Sequence, residues 1–248
     1  MKFIKKYFPP LFFIFSIAIF LKAFLLPGYP DFLVHYYSPQ VLLAGGNPYT
    51  FGRLAFFPDV YPPATIMFFF PFILLPLPAA EKLWFVVSLI CLFLSVYLIF
   101  KIAKKKFFSG LGLMVLAFIF LSFPVKFNFG MGQINTLVLF LTCLSAYFFY
   151  DKRFFSSAVF LVLSLSMKFF PPFLPVYFLI FKKWKYLLWL FLTFVLLHLI
   201  IFLIYPELVI YFYTKVVFQF IGGWKLDYYN QSLTGFEERC IFDRSRHA

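Results

Sequence analysis

An aspartate, a histidine one helical turn later, a pair of amides and a lysine inside an apolar stretch are the side chains here best able to do chemistry. Asp31 closes the string Gly28-Tyr29-Pro30-Asp31 directly after the first long apolar run, so its carboxylate belongs where lipid headgroups meet water. Partial desolvation there raises a carboxyl pKa and makes the group a usable proton acceptor. The competing reading is an interfacial Asp that caps a helix starting at Phe32. His35 shares a face with Asp31 if 32–43 is helical, although a lone His near a membrane surface also serves as an ordinary hydrogen-bonding residue. Lys168 stands deep in an apolar stretch, immediately before Phe169, Phe170, Pro171 and Pro172 break the helix. A lysine in hydrocarbon is a functional hypothesis by default, with snorkelling to an interface as the other account. It suits an anionic headgroup such as a lipid phosphate. Gly132-Gln133-Ile134-Asn135 opens an apolar run with two amides that either hold sugar hydroxyls or satisfy free backbone groups at a helix start. Gly45-Gly46-Asn47-Pro48-Tyr49 is turn chemistry first and a site second.

The elements that must position these groups are membrane helices. The chain of 248 residues is 64% hydrophobic and only 12% charged, with a mean hydropathy of +0.94, far outside the soluble range. The 44 Phe residues partition into lipid about as well as Leu and read as composition rather than as an aromatic platform. The net charge of +13 invites a nucleic-acid reading, but the cations sit at the ends of apolar runs. Lys2, Lys5 and Lys6, then Lys101 and Lys104 to Lys106, then Lys152 and Arg153, then Lys182, Lys183 and Lys185 are topology signals marking the cytoplasmic side. No nucleic-acid partner is expected. Cys91, Cys143 and Cys240 offer neither metal-ligand spacing nor a disulfide framework.

Placing the basic clusters inside gives an all-α integral membrane bundle with about seven transmembrane helices, a cytoplasmic N-terminus and a single domain over 1–248. The apolar start reads as a signal anchor that stays in place. Residues 27–82 form the first extracytoplasmic loop, in which 62–78 is an interfacial or re-entrant helix, since making it a crossing would put Lys101 to Lys106 outside. Spans follow at 83–100, 111–125 and 134–150, two short helices meet within the bilayer at a break near Lys168, and a span at 186–204 leaves 205–248 outside. Three polar groups then collect on the outer side: Asp31 to Tyr49, Gly130 to Asn135, and Asn230 to Arg239. The sequence carries no P-loop, dinucleotide-binding glycine pattern, zinc-protease motif or nucleophile elbow, and no cofactor is expected.

At these residues the chain resembles glycosyltransferase family 87, membrane enzymes of the GT-C fold best known as mannosyltransferases. The matching features are Asp31, Gly45-Gly46-Asn47-Pro48-Tyr49, Tyr61-Pro62-Pro63, Gly132-Gln133-Ile134-Asn135, Lys168 with Pro171, and Asn230-Gln231-Ser232 with Arg239. Their order covers nearly the whole chain. The resemblance implies a GT-C-like bundle with juxtamembrane helices in the first outer loop and Asp31 as catalytic base. It also implies hexosyl transfer, mannose first, from a polyprenyl-phosphate-linked sugar donor to a lipid or glycan acceptor, and with no retention signal in the chain the membrane reads as a plasma membrane. Lys168 and Arg239 are the candidate cations for the donor phosphate. His35, Asn47, Tyr49, Tyr61, Gln133, Asn135, Asn230 and Gln231 are the candidates for sugar and acceptor contacts, and no metal is expected. Members of that family are longer, so the polar tail from Asp243 to Ala248 reads as a C-terminal truncation. Two rival classes stay open, a transporter or lipid flippase for an anionic substrate and a noncatalytic assembly subunit.

Overall fold

The computed structural model describes residues 2–22, 29–50, 59–168 and 173–220, and every regular element among them is helical. The chain divides into two compact units, Met1–Ile200 and Ile201–Ala248. The first holds α1 (Lys2–Leu21), α2 (Pro30–Leu43), α3 (Pro63–Phe69) with a 3₁₀ turn at Phe70–Leu74, α4 (Leu77–Ile102) and α5 (Gly110–Leu121). It continues with α6 (Phe123–Met131), α7 (Asn135–Tyr150), α8 (Phe154–Met167), α9 (Phe173–Ile180) and most of α10 (Trp184–Ile204). The second holds the end of α10, α11 (Pro206–Tyr211), a π turn at Phe212–Val216 and α12 (Val217–Phe220).

Proline starts these helices more often than it breaks them. Helices α2, α3, α4, α6 and α11 each carry Pro in the first two positions, where its missing N–H would have no partner and its fixed φ suits the turn. Pro124 also explains why 111–125 is not one straight span. The helix stops at Leu121, Ser122 turns extended, and α6 leaves at 60° to α5, because a Pro ring inside a helix clashes with the carbonyl four residues back.

Two helices, α4 and α10, are long and apolar enough to cross a bilayer, and a third span results if the bent pair α5–α6 counts as one. Helices α7 and α8, with 16 and 14 residues, fall short of the roughly 20 that span hydrocarbon. The Pro63–Leu74 segment is shorter still. Seven helices of spanning length are therefore not found among the described residues.

The first unit has two distinct ends. Ile102, Tyr150, Lys152 and Lys183 line one cavity, and the Lys101 ammonium sits 4.5 Å from the Tyr147 ring centroid. The C-termini of α4, α7 and α9 thus meet at one basic end. At the other, the Trp84 indole donates to the Gly132 carbonyl at 2.8 Å, which ties the start of α4 to the loop preceding α7. Helix α7 joins the two ends and is about 24 Å long at 1.5 Å per residue.

The core behind the second end is aromatic. Phe32, Phe69, Trp84, Phe20, Phe120 and Phe129 are all nearly inaccessible. Phe69 meets Trp84 edge-on at 4.9 Å, and Phe20 meets Phe129 edge-on at 4.7 Å, the geometry in which ring quadrupoles attract. Part of the Phe load is therefore internal packing rather than lipid-facing filler. It backs α2, the helix that carries Asp31.

Candidate active site

Asp31 lies in the first turn of α2. The helix begins at Pro30 and its N-cap is Tyr29, so Asp31 is not the capping residue of a helix starting at Phe32. Its carboxylate is free of that duty and half-buried. Burial is the main cause that raises its pKa above the ordinary 3.8, while a hydrogen bond from the Gln133 amide and the positive charge of Lys168 pull it back.

Gln133 starts a directed string. Its Oε1 accepts from Asn135 Nδ2 at 2.7 Å, and Asn135 Oδ1 accepts from Lys168 Nζ at 2.7 Å. Lysine only donates and an ionised carboxylate only accepts, which fixes the orientation of both amides between them. The dipoles line up from cation to anion. Asp31 and Lys168 feel each other's charge, yet two amides stand between them instead of a direct ion pair.

Backbone geometry brings the string together. Gly132 ends α6 in the left-handed region at φ +70°, and a Cβ there would lie 2.7 Å from Tyr29 Cβ and 2.8 Å from Phe32 Cβ. Only glycine lets the loop before α7 approach the start of α2 so closely. The Asn128 carbonyl receives the Gln133 N–H at 3.0 Å, which aims the Gln133 side chain. At the far end Lys168 follows α8 in extended conformation. The Thr65 hydroxyl of α3 donates to the Met167 carbonyl at 2.6 Å, capping an orphan acceptor of that helix end and holding Lys168 in place.

Tyr61 forms a wall of the site. Its ring centroid is 5.8 Å from Lys168 Nζ, and its burial, with the charges of Asp31 and Asp59, raises its pKa. His35 packs edge-on against Tyr61 at 4.5 Å and parallel to Phe69 at 4.6 Å. It is 1% exposed, neither ring nitrogen has a hydrogen-bond partner among the described residues, and burial lowers its pKa to about 3. It is neutral. Asn47 Oδ1 accepts the Tyr49 N–H at 2.9 Å, an Asx turn, and the Tyr49 hydroxyl donates to the Tyr61 carbonyl at 3.0 Å. The Asn47–Tyr49 turn therefore braces the backbone that carries Tyr61.

Asp59, which falls in the first outer loop by sequence, is a buried anchor of the same wall. Its Oδ1 accepts the Tyr61 N–H at 2.8 Å, and its Oδ2 lies 2.5 Å from Ser38 Oγ. Ser38 also approaches the Val34 carbonyl at 2.8 Å. The Ser38 hydroxyl donates to Asp59 Oδ2 and shares its single proton with that carbonyl. Burial first, opposed by these hydrogen bonds, raises the Asp59 pKa to about 6. Two further polar residues went unnoticed: Glu81, buried at the start of α4 and acting on Tyr29, and Asn128, whose buried amide has no partner among the described residues. Glu81 stands beside Lys82, and Asn128 two residues after Lys126, in otherwise apolar helical segments, which was the available signal.

The structure thus brings Asp31, Gln133, Asn135, Lys168 and Tyr61 to one place, with His35, Asn47 and Tyr49 behind Tyr61. Asn230, Gln231 and Arg239 lie outside the described residues. A carboxylate, a cation and two amides in one half-buried setting are suited to accepting a proton and neutralising an anion within one reaction.

The family model described as Glycosyltransferase family 87 matches residues 60–242. That range takes in Tyr61, the Gln133–Asn135 pair, Lys168 and the Asn230 to Arg239 segment, and it begins after Asp31. No curated protein and no solved structure matches the chain. Since the matched range exceeds half of the 248 residues and contains most of the polar string, the chain belongs to glycosyltransferase family 87.

Proposed function

We propose that this membrane glycosyltransferase moves a hexose, mannose first among the candidates, from a polyprenyl-phosphate donor to a lipid or glycan acceptor. The observation that carries the reading is the string from Lys168 through Asn135 and Gln133 to Asp31. An inverting displacement needs a base on one face of the anomeric carbon and a cation at the phosphate leaving from the other. Two poles held apart by two amides meet that need. A direct ion pair would quench both groups.

In this mechanism Asp31 takes the proton of the acceptor hydroxyl as its oxygen attacks the anomeric carbon, and the glycosidic C–O bond to the phosphate breaks in the same step. Lys168 neutralises the charge that develops on the departing phosphate, and Arg239 is its proposed partner. Gln133 and Asn135 exchange their contacts with each other for contacts to sugar hydroxyls, with Asn230 and Gln231 completing that set. Tyr61 offers the sugar an aromatic wall, and His35, Asn47 and Tyr49 hold that wall in position. A general base supplies roughly 10² to 10⁴ in rate, and the remainder comes from positioning and charge stabilisation.

The site lies at the end of the first unit away from the basic clusters, so a cytoplasmic basic end makes it extracytoplasmic. Helix α7, at about 24 Å, is shorter than the roughly 30 Å hydrocarbon layer, which supports a site a few ångströms beneath the outer lipid phosphates, within reach of a lipid-linked donor. The seven-span GT-C arrangement and a plasma-membrane location belong to the same proposal. The test is transfer from a panel of labelled polyprenyl-phosphate sugars by the full chain in membranes. Transfer by wild type that vanishes in Asp31→Asn supports the reading. Wild-type transfer unchanged in Asp31→Asn overturns the assigned base.

A further inference from the structure

The basic end of the first unit contains a cavity of about 600 Å³ between α7, α8 and α9. Its walls are predominantly apolar, with Phe149, Leu161, Leu174 and Phe178 prominent, and Lys152 and Lys183 stand at its margin. Both lysines are exposed. The nearest carboxylate in sequence, Asp151, is engaged by Arg153 at 2.9 Å, so among the described residues neither lysine has an ion-pair partner. The wall is firmly built. Ser145 and Ser157 exchange hydroxyl-to-carbonyl hydrogen bonds at 2.8 Å each, and the Tyr186 hydroxyl joins Ser157 at 2.8 Å, which locks α7, α8 and α10 around the cavity's inner side.

Lys152 and Lys183 stand at two similar helix ends. Lys152 and Lys182 follow α7 and α9 in the left-handed region, at φ 60° and 52°. Each helix ends with the same pair of bonds, Lys152 N–H to Phe149 and Arg153 N–H to Phe148, then Lys182 N–H to Leu179 and Lys183 N–H to Phe178. This is the Schellman closure, which glycine ordinarily completes. A lysine in that position accepts backbone strain; Lys152 is that residue at the end of α7, Lys183 directly follows Lys182, its counterpart at the end of α9, and both Lys152 and Lys183 reach the cavity margin.

We infer that this cavity binds an anionic phospholipid, with an acyl chain against the Phe149–Leu161–Leu174 wall and the headgroup phosphate between the Lys152 and Lys183 ammoniums. An acyl chain matches the apolar lining, and a phosphate matches two uncompensated cations. The inference concerns the end of the molecule opposite the polar string and does not depend on the glycosyl-transfer reading.

The experiment is native mass spectrometry of the full chain released from micelles containing equal amounts of phosphatidylglycerol and phosphatidylcholine with identical acyl chains. Wild type should retain phosphatidylglycerol preferentially. Lys152→Gln with Lys183→Gln should weaken that retention about thirtyfold, taking each lysine near an anionic headgroup as about fivefold. Leu174→Trp, which fills the cavity and leaves both charges, should also lose it. Lys104→Gln with Lys105→Gln, on the same basic end but off the cavity, should not. Equal retention of the two lipids by wild type, equal loss in both lysine pairs, or full retention in Leu174→Trp each overturns the site. Circular dichroism and thermal melting of every variant identify a loss caused by unfolding. In that event Lys152→Arg with Lys183→Arg, which keeps the charge, must restore binding.

Discussion

The two ends of the first unit handle charge in opposite ways. At the basic end, cations crowd with one carboxylate among them, already paired with Arg153, and the side chains are exposed. At the polar end a carboxylate and an ammonium share a half-buried setting and are kept apart by two amides that carry polarisation between them. Water and headgroups screen the first arrangement, which suits the orienting role expected of it from sequence. The second is sheltered from water, where a displaced proton or a leaving anion feels each partner strongly. The two ends differ in the company each charge keeps.

Removing the carboxylate should break the polar end most completely. Asp31→Asn keeps the size of the side chain and the Gln133 contact but cannot take a proton, and transfer is expected to fall about 10² to 10⁴-fold in a radiolabel assay. Lys168→Met is next, with a loss on the order of 10²-fold in kcat as the departing phosphate loses its cation. It also carries a signature in pH. The Lys168 charge lowers the Asp31 pKa, so without it the protonated form persists to higher pH, and the acid limb of the pH–rate profile should move upward. A limb that stays in place would separate Lys168 from Asp31.

Gly132→Ala tests the close approach that assembles the string. The new Cβ would meet Tyr29 and Phe32 below 3.0 Å at a left-handed position, costing about 2 kcal/mol or more from strain and overpacking. Melting in detergent should drop and transfer should fall with it, while phosphatidylglycerol retention at the basic end should persist below the melting temperature. Loss of both together would mean that the two ends are not built independently.

How much of this was legible in sequence follows the same division. The cations of the basic end were readable because they lie within a few residues of the apolar runs they close, whereas the left-handed turns that carry them were not. Asp31, Gln133, Asn135 and Lys168 were each visible as polar residues at the margins of apolar runs, but their hydrogen-bonded order was not. The bonds that assemble them join residues 33 apart for Lys168 and Asn135, 48 for Trp84 and Gly132, and 102 for Thr65 and Met167, and no local pattern encodes such pairings. Asp59 escaped for a related reason. Its neighbours in sequence mark a loop, and only the fold shows that Ser38 and the Tyr61 N–H enclose its carboxyl. About seven crossings were counted from apolar runs with the basic clusters placed inside, and Pro124 shows how a run of adequate hydropathy becomes two helices at an angle.

Asp59 offers a smaller test on the polar end. Its pKa, raised to about 6 from 3.8, means that the folded protein binds this proton more tightly than the unfolded chain. Stability contributed by the neutral carboxyl is therefore fully present below about pH 4 and declines as pH rises to about 6, by roughly 2 to 3 kcal/mol. Asp59→Asn mimics the protonated form, donating to Ser38 and accepting from Tyr61, and should flatten the melting temperature between pH 4 and 6 and raise it above pH 6. A melting curve with the same pH slope in wild type and variant would place the titration elsewhere.

The smallest effect belongs to the basic end. Lys104, like Lys152 and Lys182, sits at positive φ after its helix, closed by Lys104 N–H to Lys101 and Lys105 N–H to Phe100. Lys104→Gly relieves strain of about 1 kcal/mol and removes a cation from a helix C-terminus worth roughly 0.3 to 1 kcal/mol, so in neutral detergent the two nearly cancel. In a bilayer the balance changes, because the lysine also gains about 1 kcal/mol from an anionic leaflet and the glycine does not. Melting should thus be unchanged in uncharged detergent and slightly lower for the variant in vesicles rich in phosphatidylglycerol. If Lys104→Gly were clearly stabilising in both, these lysines would be strain tolerated for topology during insertion and of no further use to the folded protein. A deficit confined to anionic lipid would mean that the folded molecule uses them against the membrane it rests in.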